Sequence, residues 1–147
     1  MSASIRIGAV DWRHAAWTGA FYPDDMPEEW RLSYYSGQYN CVFLAARDWR
    51  AVGPAGLRQW GDEVHARFVF LLEEDAGTLS DGGLDGKTRL LARGDARLVW
   101  FDAHSDLKHL AEAIRARTEH GELFLLSRDA DLAQMDRVNT LLELMGY

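Results

Sequence analysis

At 147 residues, with 48% hydrophobic and 27% charged side chains, the chain has the length and composition of one globular domain with its own core. Its net charge of −7 and the lack of any Lys/Arg run exclude the basic face that a nucleic-acid partner would need. One cysteine, Cys41, excludes an internal disulfide and a CxxC site; it lies in the apolar run 41–45, where a packed, inert thiol is expected. No leader pattern precedes the first strand, and the longest apolar runs fall far short of the roughly 20 residues a membrane span requires. The expectation is therefore a cytoplasmic chain with neither membrane nor nucleic acid as partner.

Strand-like and helix-like segments alternate along the chain, the pattern of βα units on a parallel sheet. Ile5–Val10 predicts the first strand. Pro27-Glu-Glu-Trp30 predicts the start of a helix running to about Gly37, with proline early and acids in the first turn. Cys41–Ala45 predicts a strand buried on both faces, Pro54–His65 a helix, and Arg67–Leu72 a third strand. Asp75–Gly86 holds four of the thirteen glycines and predicts a flexible loop. Lys87–Arg93 fits either a short helix or an irregular strand. Arg97–Phe101 predicts a strand, and Leu107–Arg117 a helix with apolar residues at 107, 110, 111 and 114. Glu122–Leu126 predicts a further strand, and Leu132–Met145 a closing helix.

The stretch Ile5-Arg-Ile-Gly-Ala-Val-Asp-Trp12, then Phe21-Tyr-Pro23, then Trp30-Arg-Leu-Ser-Tyr-Tyr35, resembles the start of the YecE-like family of TIM-barrel proteins, domain of unknown function 72. Glu122-Leu-Phe-Leu-Leu-Ser-Arg-Asp129 and the helix after it are similar to that family's fifth strand and helix, with Arg128 in the place of its strand-end arginine. The resemblance implies one α/β domain over residues 1–147: a shortened, TIM-barrel-like (βα)5 parallel sheet, the barrel incomplete within one chain. It implies no reaction, because the family has no settled activity. Departures gather at the strand ends. Phe43, Ala45, Asp48 and Trp49 stand where the family carries Glu-x-Asn and a Phe-Tyr pair, Glu73 replaces a lysine, and Leu126 replaces a glutamate. Barrel enzymes place their chemistry at these ends, so a diverged, non-catalytic member is expected.

Five parallel units cannot close, which leaves sheet edges and part of an inner face to be covered. An open twisted sheet with helices on both faces, a loop 75–93 folded over an edge, or a homodimer completing the sheet or barrel would each answer this, and six tryptophans in this length suit the homodimer interface.

Two groups of residues could carry a site. The first is the loop after the first strand, where Trp12, Arg13, His14 and Tyr22 could line a pocket mouth. Trp12 and Tyr22 would stack on a flat or sugar-like ligand, with Arg13 or Arg128 holding an anionic group; packing of the loop on the first helix is the competing role. The second is Asp102-Ala-His104-Ser-Asp106, which resembles the Asp-Ala-His-x-Asp metal motif of the arginase and agmatinase (ureohydrolase) family. With Asp129 of Ser127-Arg-Asp129-Ala-Asp131 it could hold a divalent metal for hydrolysis. Ser105 or Asp106 is equally a natural N-cap for the helix beginning at Leu107, and Asp129 or Asp131 for the helix beginning at Leu132. The ureohydrolases' further histidine and long spacing between motifs are missing, so the chain is not expected to belong to that family. The leading expectation is a small-ligand or protein-binding module without cofactor; the alternative is a divalent-metal-dependent hydrolase using Asp102, His104, Asp106 and Asp129.

Overall fold

The computed structural model describes residues 4–74 and 87–147. Six strands form one parallel sheet: β1 (Ser4–Val10), β2 (Cys41–Leu44), β3 (Val69–Glu73), β4 (Thr88–Leu91), β5 (Leu98–Phe101) and β6 (Glu122–Ser127), in the spatial order β4-β3-β2-β1-β6-β5. Four helices flank it: α1 (Glu28–Gln38), α2 (Ala46–Glu63), α3 (Leu107–Arg117) and α4 (Leu132–Leu144). The expected α/β class and the incomplete, barrel-like parallel sheet are what the structure shows. The strand count is corrected from five to six, because part of the undecided stretch Lys87–Arg93 is β4. The expected loop 75–86, with Gly82, Gly83 and Gly86, lies outside the described residues.

The order also moves the gap. Five consecutive units were expected to run out at the end of the chain. Instead the last strand, β6, pairs with β1 over six positions from Ser4↔Glu122 to Ala9↔Ser127, so β1 lies inside the sheet and the opening falls between β4 and β5. Only residues 92–97 join these two edges, and they contain two turns, Asp95 N–H to Ala92 O and Leu98 N–H to Asp95 O, each 3.0 Å. A flat six-stranded sheet would hold its edges about 24 Å apart, more than six turning residues can span while also returning to the N-terminal end of the sheet. The sheet has to curl.

Curling gives the sheet two unlike faces. The alternate residues Ile7, Ala9, Val42, Leu44, Phe70, Leu72, Val99, Phe101, Leu123 and Leu125 point outward and pack under the helices. Cys41, Phe43, Val69, Leu71, Leu91, Leu98, Phe124 and Leu126 point inward and pack on one another, none more than 3% exposed. Burying each large apolar side chain contributes about 1.5–3 kcal/mol relative to exposure, so the rolled sheet covers its own inner face. The partner once expected to cover that face is not required for it. Cys41 fits its expected role: fully buried, its thiol is held in the neutral form by that burial.

One hydroxyl splices α1 into the sheet. Tyr35 Oη accepts from Ala9 N at 3.0 Å and donates to Cys41 O at 2.7 Å, bridging β1 and β2 where a direct ladder bond would run. Gly8 makes room for it, since a Cβ there would meet Cys41 O at 1.9 Å and Tyr35 Oη at 2.7 Å. Helix α2 was expected to begin at Pro54; a first turn starts earlier, at Ala46, and the helix kinks at Gly53, whose φ of 76° only glycine adopts without strain. Tyr35→Phe leaves a buried N–H and C=O without partners. We expect a loss of about 1–3 kcal/mol in urea unfolding; an unchanged midpoint would mean the ladder closes directly.

Candidate functional site

In a parallel barrel the C-terminal strand ends form the mouth. Here the mouth is filled. Arg93, just after β4, pairs with Glu73 at the end of β3, and its Cζ lies 5.0 Å from the Phe43 ring and 5.9 Å from Trp100. Phe43 and Trp100 meet edge to face at 5.2 Å, and Trp100 Nε1 donates to Arg93 O at 3.0 Å. Glu73 also accepts from Ala46 N at 3.0 Å, and its backbone O takes the Trp49 indole N–H at 3.1 Å. Arg128 also lies near Trp100, Cζ to ring 5.9 Å.

The N-terminal end is closed by charge. Glu122 of β6 takes Arg89 of β4 at 3.1 Å and Arg97 at 3.4 Å, with Arg6 at 3.9 Å. Asp95 holds Arg97 in a two-pronged pair, which draws the Asp95 carboxyl below its ordinary range. These ion pairs cross from the β4 edge to β6, so they tie the opening that the ladder leaves unpaired.

The first expected site does not assemble as a pocket mouth. Asp11, at φ 61°, accepts from Trp12 N and Arg13 N and clasps the Arg13 guanidinium through both oxygens at 3.0 and 2.8 Å. Burial acts to raise the Asp11 pKa, but the Arg13 hydrogen bonds and charge outweigh it and the net shift is downward. Tyr22 is 1% exposed, donates to Trp12 O at 2.7 Å and is pushed up in pKa by burial. His14 spends Nε2 on Val10 O at 2.8 Å and packs on Trp17, whose indole N–H reaches Ala130 O at 2.9 Å. Arg128 lines a different groove, of about 410 Å³, beside β5 and α3.

Trp12 and Arg13 do border a groove, on the outside of the sheet between α1 and α2. It encloses about 630 Å³ and is lined by Trp12, Arg13, Arg31, Trp60, Glu29 and Glu63 among others. Trp12 is 3% exposed and meets half-buried Trp60 edge to face at 4.7 Å. Arg13 covers both rings, at 4.9 and 5.4 Å. Arg31 lies 5.1 Å over Tyr22, and its Nε is buried without a hydrogen-bond partner. Sequence reasoning named neither Arg31 nor Trp60 as a site residue. Nothing local in either helix marks them, because the groove exists only where α1 and α2 come side by side.

The second expected site does assemble on one rim, since β5 and β6 pair side by side, but its acids face their own backbone. Asp106 accepts from Lys108 N and His109 N at 2.8 and 3.2 Å, the N-cap of α3. Asp131 accepts from Gln134 N at 2.8 Å, the N-cap of α4. Asp102 accepts from His104 N at 2.9 Å, and Asp129 from Ala103 N at 2.9 Å. His104 is exposed. Among the described residues no three His, Cys, Asp or Glu side chains are grouped so as to hold a metal.

Residues 6–74, which carry β1 to β3 with α1 and α2, match the family described as protein of unknown function DUF72. The match spans 69 of the 147 residues. No curated protein and no solved structure matches the chain. The DUF72 stretch contains every residue named above as lining the α1/α2 groove. It also contains Phe43 and Glu73 of the mouth, while Arg93 and Trp100 lie beyond it. Among the described residues no helix is long and apolar enough to cross a membrane.

The caps make separable predictions. Asp131→Ala should cost about 0.5–2 kcal/mol, whereas Asp106→Asn should keep the cap and lose only the pH-dependent part of its contribution. Backbone hydrogen bonds from His109 and Lys108 lower the Asp106 pKa; at Asp129 burial opposes, and the bonds from Ala103, Asp131 and Ser127 outweigh it. Both contributions are therefore complete above the unfolded carboxylate value, about 3.9, and are lost as pH falls through the lower folded values. Asp129→Asn should flatten that acid limb of a stability-against-pH curve; an unaltered limb would contradict the assignment.

Proposed function

We propose that this chain is a non-catalytic binding module and that its ligand site is the outer groove between α1 and α2. The observation that carries this is the filled mouth. Positions where the resembling family keeps polar groups hold Phe43, Leu126 and a charge-reversed Glu73 here. Phe43 and Leu126 belong to the buried inner face, and Glu73 is occupied by Arg93. A substrate at the mouth would have to displace the Arg93–Glu73 ion pair and the Phe43–Trp100 contact. The α1/α2 groove is open, has an aromatic wall and lies within the range of small-molecule sites. Trp60 supplies the face for a flat molecule, in the role first expected of Trp12.

Benzamide, a flat uncharged probe, tests this through the six indole N–H resonances. A saturable shift at the Trp60 indole, lost in Trp60→Leu, is expected, with Trp17 unmoved because it is buried and bonded to Ala130 O. No saturable shift, or one centred on Trp100, would overturn the proposal.

The homodimer retains one support, the outer edge of β5, on which no strand pairs among the described residues. The β5 edge is short and partly blocked, since Arg117 Nη1 bonds Leu98 O at 3.1 Å and Ala96 O at 3.3 Å. We expect pairing, where it occurs, to use that edge and to weaken when Trp100→Pro removes a backbone donor there; sedimentation equilibrium reads it, and a monomer at all concentrations removes it.

A further inference from the structure

We infer that the α1/α2 groove takes a small zwitterion, an α-amino acid or similar molecule with an apolar body. The inference rests on the groove being the ligand site and names the chemistry that would fill it. Two guanidiniums face the groove, and they differ in one respect. Arg13 is neutralised by both oxygens of Asp11. Arg31 makes no hydrogen bond or ion pair with any described residue; its only contact of this kind is with the Tyr22 ring. A guanidinium fork beside an aromatic wall is a carboxylate receptor.

Charge decides what else the ligand must carry. Glu28, Glu29 and Glu63 border the same groove, and none makes an ion pair or side-chain hydrogen bond with a described residue. Glu28 does lie in the field of Arg13. An anion alone would meet Arg31 but also three carboxylates. A cation alone would meet the carboxylates and leave Arg31 unpaired. A molecule with a carboxylate toward Arg31, an ammonium toward the glutamates and an apolar group on Trp60 satisfies all three.

The test compares L-phenylalanine with phenylacetate, which lacks the ammonium, and phenethylamine, which lacks the carboxylate, each titrated against the Trp60 indole resonance. The expected result is saturable binding of phenylalanine at least tenfold tighter than either fragment, with Arg31→Gln reducing it to the level of phenethylamine. Equal affinity for the three compounds, or Arg31→Gln without effect on phenylalanine, overturns the zwitterion. Glu29→Gln provides a second variant on an exposed residue and should weaken phenylalanine and phenethylamine but not phenylacetate; the opposite pattern also overturns it. If benzamide binds and phenylalanine does not, the zwitterion fails and the groove stands. If neither binds, both fail.

Discussion

The shortness of the link between β4 and β5 governs this molecule. Two parallel strands at opposite edges of a six-stranded sheet are joined by residues 92–97 alone. That length brings the edges toward each other, and the hydrophobic effect does the rest, because an inner face of leucine, valine and phenylalanine is stable only when rolled onto itself. The link then serves both ends of the roll. Arg93 at its start enters the mouth against Phe43 and Trp100, and Asp95 near its end anchors Arg97 beside Glu122.

The lumen and the mouth form one connected arrangement. Leu126 and Phe43 belong to the apolar inner face. Glu73 supplies the carboxylate for Arg93, whose guanidinium lies against two aromatic rings. The ion pair and the aromatic contact thus sit directly above the apolar lumen.

What the sequence made legible follows from the range of the forces involved. Helices α1, α3 and α4 could be read to within a residue or so because their start signals are local: Pro27 with Glu28 and Glu29, Asp106 before Leu107, Asp131 before Leu132. The capping role of the acids in the Asp102–Asp106 motif was legible for the same reason. Strand β4 was not, because Thr-Arg-Leu-Leu is too short to show a period, and its strand character comes from pairing with β3, far from it in sequence. Strand order was invisible for the same cause. Five units in a row and a gap at the end describe the chain's sequence well; only the ladder from Ser4 to Ala9 on β6 moves the gap to the middle. The aromatic residues of the first loop misled because Trp12 and Tyr22 carry the same chemistry whether they stack on a ligand or on each other's backbone.

The groove between α1 and α2 stands out by contrast with how charge is handled elsewhere. Asp11, Asp95, Glu73 and Glu122 are each matched to arginine, and Asp102, Asp106, Asp129 and Asp131 to backbone N–H groups. Among the described residues, Arg31 Nε is the one buried side-chain nitrogen or oxygen without a hydrogen-bond partner. The cost of burying such a donor is of the order of 1–3 kcal/mol, enough to matter in a fold of this size. The side chain lies over Tyr22 and makes no ion pair with Glu28 or Glu29 of the same helix among the described residues, so a bound zwitterion would supply the partners that both charges lack there.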